Sequence, residues 1–336
     1  MSALIGKTPA THRKKKLRIA LLVRSGHPYD YVYTSNRDYL KHLKKPQVNP
    51  EIAMYYYIKR KYPTVKVDKY SVNTLQKLDP KKYDAIFATF LDVVMPALEI
   101  LYKKRDTVKY NRFMRKLKSF GNKLHPSLQF INFITEKCSY HTWLRKKGFP
   151  IIEPTRCVHA SSKPIRVPKK EIFLKPVPSA GSKDLFHVTP ETKQKTIDEY
   201  FKSLSNKGVK KIMIQDYKDF GTEGNPEYRT YWLGSKAKYQ YTIRTSAYGF
   251  SPEILDDPLP ASVKKLSVRL IKALSNKFKT TMYITRLDWA KVDGKWVINE
   301  IEWAPGVFSE KFSSWDWTVD EKMADIMVNE VTNRAS

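Results

Sequence analysis

Three carboxylates and an arginine crowd into a short stretch of the chain: Arg286 and Asp288 in one apolar-rich segment, Glu300 and Glu302 in the next. Asp293-Gly294 between them is a dipeptide suited to the tight turn of a β-hairpin. If 282–292 and 295–303 are its strands, side chains two apart share a face, so Arg286 lies with Asp288 and Glu300 with Glu302. Pairing across the turn sets Asp288 opposite the Asn299-Glu300 region, where three carboxylates can converge. Such a cluster is costly unless cations occupy it. Magnesium suits it, because that ion takes hard oxygen ligands and joins one or two carboxylates to substrate phosphates. Zinc does not, since neither His nor Cys stands nearby in the sequence.

The elements that must position this hairpin show in the apolar periodicity. Residues 17–23, apolar but for Arg18, form a run of strand length that leads into a turn-like Ser25-Gly26-His27-Pro28. A helix follows over 50–61, with Pro50 in its first turn, then strands at 65–72 and 83–88. This order predicts a small open α/β sheet, and without Gly-x-Gly-x-x-Gly after the first strand it has no dinucleotide fingerprint. Residues 103–125 read as an amphipathic helix with Phe113, Leu117 and Phe120 on one side and a strongly cationic face on the other. A helix running from Ile131 through Leu144 ends before Gly148 and Pro150. Further on, the pattern gives a strand at 172–175, a helix at 191–205, a strand at 211–217 and antiparallel strands at 227–233 and 237–246. A basic helix at 260–279 carries Val263, Leu266, Leu270 and Leu274, and a last helix covers 319–331.

The 336 residues carry a net charge of +29. Residues 281–336 hold ten acidic and six basic residues, a net of −4, so the first 280 carry +33. A field of that sign steers anions such as nucleotides, acidic peptides or nucleic acid. No run of eighteen apolar residues occurs and no leader peptide is evident, which predicts a soluble intracellular protein, cytoplasmic or nuclear, with no membrane partner. The basic run Arg13 to Lys16 ends a polar arm, 1–16, that reads as flexible. Cys138 and Cys157 are too few for a disulfide framework and are expected as reduced thiols.

Arg286-Leu287-Asp288, Val297-Ile298-Asn299-Glu300-Ile301-Glu302 and Pro305-Gly306 together resemble the last core strands of the ATP-grasp superfamily, which includes D-alanine ligase, glutathione synthetase and tubulin-type amino-acid ligases. Many members carry Asn where this chain has Glu302, and Glu also binds magnesium. The resemblance runs in order over about 131–310. It implies that Lys137 and Lys175 hold phosphates, and that Ser179, Gly181 and Ser182 form a phosphate loop with fewer glycines than usual. It also implies an adenine hinge at Gln215, Asp216 and Tyr217, with Asp219 or Glu223 on the ribose. Glu227-Tyr228-Arg229 resembles the family's Asp-x-Arg signature, with Arg229 and Arg244 toward substrate, and Arg244 and Arg286 as catalytic cations. Asp288, Glu300 and Glu302 are the implied ligands of two magnesium ions.

The implied fold is α/β (α+β): an ATP-grasp fold behind an N-terminal Rossmann-like α/β domain. The divisions expected are the arm 1–16, an α/β domain 17–130, an N-lobe 131–215 and a C-lobe 216–336. The implied activity joins a carboxylate to an amine at the expense of ATP, through an acyl phosphate, with an amino acid or an acidic peptide as acceptor. The cationic segments 103–123 and 262–280 would then flank an acidic peptide. The charge also permits a second reading, a nucleic-acid or polyanion-binding protein that keeps this fold without ligase turnover.

Overall fold

The computed structural model describes residues 16–23, 32–71, 73–89, 107–177, 184–222, 224–245, 253–255, 259–280, 282–303 and 318–335. The elements of the first unit are β1 (Arg18–Val23), β2 (Val32–Tyr33), β3 (Gln47–Val48), α1 (Pro50–Lys61), β4 (Lys66–Ser71), β5 (Ala85–Ala88), α2 (Thr107–Lys118) and β6 (Leu124–His125). Ile19 to Val23 are all buried, as a central strand covered on both faces requires. The sheet is parallel in the order β4-β1-β5-β6. The helix expected over 103–125 stops at Lys118, and Gly121 at φ +56° turns the chain toward β6. Phe120 is buried from the turn beyond the helix end.

The second unit contains α3 (Leu128–Thr135), α4 (Lys137–Lys146), β7 (Thr155–His159), β8 (Ile172–Val177), β9 (Phe186–Val188), α5 (Gln194–Asn206) and β10 (Lys211–Asp216). Its sheet is antiparallel in the order β7-β10-β8-β9. The single helix expected from Ile131 to Leu144 is two helices. Glu136, at φ −87° and ψ 79°, leaves helical geometry between them, and Lys137 becomes the first residue of α4. Cys138 and Cys157 are joined in a disulfide, which corrects the expectation of free thiols. The start of α4 packs on β7 and brings their Cα atoms to 6.1 Å, within disulfide reach.

The third unit contains β11 (Glu227–Leu233), β12 (Lys238–Thr245), β13 (Glu253–Ile254), α6 (Ala261–Phe278), β14 (Ile284–Val292), β15 (Lys295–Glu302) and α7 (Val319–Ala335). Its antiparallel sheet has the order β13-β12-β11-β14-β15. The β14–β15 turn is built on Asp293 and Gly294, both at positive φ, as the dipeptide predicts. Among the described residues, no helix is long and apolar enough to cross a membrane.

Two apolar clusters hold these sheets together. In one, Val263, Leu270, Ile271 and Leu274 of α6 pack with Leu287, Trp289, Ile298 and Ile301. Those strand residues alternate with Arg286, Asp288, Glu300 and Glu302, so α6 covers the face opposite the charged one. In the other, Met54 and Ile58 of α1 and Met323 and Met327 of α7 join Ile19 and Leu21 of β1 to Tyr231 and Leu233 of β11. The Tyr283 hydroxyl donates to the Ala88 carbonyl and ties the first sheet to the third. Leu270 is 0% exposed in the α6 cluster. Leu270→Ala is expected to lower the unfolding free energy by about 2–5 kcal/mol in urea titrations.

Candidate active site

The charged face rests on strand register. Arg229 of β11 stands opposite Asp288 of β14, and Asp288 opposite Glu300 of β15, while Arg286 stands opposite Glu302. All five side chains therefore belong to one face. A bulge between Asp288 and Trp289 sets an extra residue, Asn299, into β15. Asn299 Nδ2 donates to Glu227 Oε1 at 2.8 Å, and Thr245 Oγ1 donates to Glu227 Oε2 at 2.7 Å.

Arg286 is the centre of charge compensation. Its Nε and Nη2 donate to the two oxygens of Asp288 at 2.8 and 2.9 Å, and Nη2 also reaches Glu302 Oε1 at 3.0 Å. Asp288 is only 2% exposed. Burial pushes its carboxyl up to about 7 against the opposing pull of Arg286 and Arg229. Burial raises Glu302 as well. Glu300 goes the other way: burial would raise it, but Lys137, Arg286 and Lys175 hold it well below the usual carboxylate range.

Lys137 crosses from α4 to this face, its Nζ 2.5 Å from Glu300 Oε1. Lys175, half-buried on β8, donates to Gln215 Oε1 at 2.8 Å, and Gln215 Nε2 donates to Thr155 Oγ1 at 3.2 Å. The second bond fixes which end of the Gln215 amide meets the lysine. Burial, with Lys137 adding like charge, pulls the Lys175 ammonium down to about 8.

No protein-family model and no curated protein matches the sequence. Solved structures do match. D-cycloserine synthetase DcsG is 11% identical with a TM-score of 0.63, over 94% of this chain and 99% of that one. D-alanine–D-alanine ligase from Bacillus anthracis, complexed with ATP, is 13% identical with a TM-score of 0.60, over 95% and 98%. A RimK domain ATP-grasp protein from Sphaerobacter thermophilus is 12% identical with a TM-score of 0.56, over 92% and 98%. The chain has the ATP-grasp fold.

Within this ATP-grasp fold, the residues expected at the site are not all brought together. Lys137, Arg229, Arg286, Asp288, Glu300 and Glu302 share one side of the sheet, with Lys175 and Gln215 on the neighbouring sheet. Arg244 does not join them. It stands opposite Tyr228, one residue out of phase with Arg229, so strand alternation assigns it to the other face. At the end of β10 the Asp216 carboxylate pairs with Lys170, and Tyr217 stacks on His187 with ring centroids 4.7 Å apart. The Asp216 and Tyr217 N–H groups are taken by the carbonyls of Pro154 and Glu171. Asp219 is exposed. Ser179, Gly181, Ser182, Glu223, Pro305 and Gly306 lie outside the described residues.

Two features escape the sequence: the contact between Glu227 and Asn299, and the place of His141. Glu227 and Asn299 meet only because of the bulge, and His141 is visible only once the phase of α4 is known. His141 is 2% exposed, one helical turn after Lys137 and stacked on Tyr140 at 4.8 Å. Burial, reinforced by Lys175 and Lys137, pushes its imidazole down to about 3, so it is a neutral wall beside the two lysines. A cavity of about 750 Å³ lined by Arg37, Tyr39, Lys61 and Glu321 shares no residue with this face.

Among the described residues, no three His, Cys, Asp or Glu side chains are arranged as a metal cage. The carboxylates turn instead onto Arg286 and Lys137. The donors are all oxygen and the carboxylates already draw cations to them, which fits a hard divalent ion and not zinc. Replacing Arg286 by Met strands Asp288 and Glu302 without their cation and is expected to cost about 3–5 kcal/mol. A buried carboxyl raised from 3.8 to about 7 keeps its proton while the unfolded chain loses it, so stability falls as pH rises between those values. The Arg286→Met deficit should therefore be larger at about pH 8 than at about pH 5 in urea unfolding.

Proposed function

We propose that the chain is an ATP-dependent ligase that joins a carboxylate to an amine through an acyl phosphate. The observation that carries this reading is the Lys137–Glu300 contact, which sets a phosphate-type lysine from one sheet system against a carboxylate of the other. The ATP-grasp fold supports the same reading.

In this reading ATP lies between the two antiparallel sheets. The backbone at Asp216 and Tyr217 would meet the adenine edge through carbonyl oxygens, since Pro154 and Glu171 already hold both N–H groups, with Asp219 or Glu223 assigned to the ribose. Lys137 and Lys175 take the phosphates, and Ser179, Gly181 and Ser182 are the residues assigned with them to phosphate binding. Asp288, Glu300 and Glu302 would hold two magnesium ions, which supply neutralisation of the β- and γ-phosphate charge. Arg286 opposes the burial that favours neutral Asp288 and Glu302 and aims both carboxylates, and its side chain is only 12% exposed, too enclosed to follow a substrate. Arg229, at 25%, is the arginine open to the substrate carboxylate. One oxygen of that carboxylate attacks the γ-phosphorus, the bond to the β–γ bridging oxygen breaks, and ADP leaves. The amine then attacks the acyl carbon, phosphate departs, and the amine gives up a proton. The chain positions and neutralises, and no side-chain nucleophile is needed.

The direct test supplies ATP, magnesium and pools of amino acids and acidic peptides, and reads ADP release together with a new amide by mass. Glu300→Gln and Asp288→Asn should each lower ADP release by at least about 100-fold with a cooperative unfolding transition retained. Undiminished release from Glu300→Gln would overturn the assignment. Lys175 loses its charge above about 8, so kcat/KM for ATP should fall as pH rises through that value. Lys175→Arg, which stays charged, should abolish that limb of the profile.

A further inference from the structure

The helix α6, 261–278, contains no acidic residue, and its Lys264, Lys265, Arg269, Lys272 and Lys277 are all exposed. Among the described residues, no carboxylate pairs with any of its lysines. Its apolar side packs on the sheet face opposite Asp288 and Glu300, so its cations point away from the candidate active site. They cannot flank a substrate at the reacting end, as the sequence alone allows.

The surface continues beyond the helix. Arg269 lies over the Phe149 ring at 4.3 Å and donates to the Gly148 carbonyl at 3.0 Å, which brings the exposed Lys146 and Lys147 alongside. At the other end Lys277 lies over Phe133, and Thr280 accepts a hydrogen bond from Ser127 N–H at 2.7 Å. The result is a cationic band along a rigid helix about 27 Å long at the usual rise of about 1.5 Å per residue. Like charges so close repel one another, so the band is a standing cost without an anion to meet it.

We propose that this band binds the phosphate backbone of duplex nucleic acid. Protein partners are held by buried aromatic and aliphatic anchors, and the exposed large apolar side chains among the described residues, Val108 of α2 and Leu185 before β9, do not belong to α6. A phosphate backbone needs no such anchor; closely spaced cations that release counterions suffice. The site is separate from the ligase face and requires neither ATP nor its carboxylates.

The test is fluorescence anisotropy of the full chain with random-sequence DNA and RNA duplexes across a salt series, beside polyglutamate. Lys265→Gln, Lys272→Gln and Lys277→Gln combined should weaken binding to at least one duplex and reduce its log–log salt slope by about one unit per lysine. The matching Lys→Arg variant should retain binding, as should Asp288→Asn, while Lys81→Gln with Lys82→Gln on the first sheet's side should not reproduce the loss. Wild-type affinity in the triple Gln variant, or polyglutamate bound as tightly as both duplexes, would overturn the proposal.

Discussion

Buried carboxylates require fixed positive charge within reach, and in this protein that requirement organises the site. Arg286 meets it inside the sheet by serving Asp288 and Glu302 at once. Glu300 takes its cation from outside the sheet, from Lys137 at the start of α4. The consequence is mechanical as well as electrostatic. The ion pair on β15 holds only while α4 stays in place, and α4 is fastened to β7 by the Cys138–Cys157 bond immediately after Lys137.

The apolar layers explain how so much charge is tolerated. Leu287, Trp289, Ile298 and Ile301 bury the reverse of the hairpin against α6, so the strands are anchored on one face and leave the other to ions. At the far end of the same charged face, Tyr231 and Leu233 pack into the cluster shared by α1 and α7. The polar site is thus closed on two sides by hydrocarbon, and burial there shifts the Asp288 carboxyl toward neutrality.

Much of this was legible because it depends on local chemistry. The Asp293-Gly294 turn fixes its own geometry, and period-two alternation puts Arg286 with Asp288 and Glu300 with Glu302; that the two pairs share one face depends on the bulge. What was not legible depends on phase breaks. The interruption at Glu136 follows no proline or glycine, yet it decides that Lys137 begins a helix. Arg244 fails for the same kind of reason: composition cannot distinguish it from a residue one step away, and strand parity sends it to the other face. The disulfide follows from packing of α4 on β7, which two cysteines far apart in sequence do not reveal.

The bulge between Asp288 and Trp289 has a further consequence for the kinds of genetic change the site tolerates. Because it places two residues of β15 against one of β14, Asn299 and Glu300 both serve the charged face. The number of residues between Asp288 and Glu300 is therefore a parity, not a distance. An in-frame loss or gain of one codon in that interval would leave every charged residue in the chain and still turn carboxylates toward the hydrocarbon side. At this hairpin, length is inherited as strictly as identity.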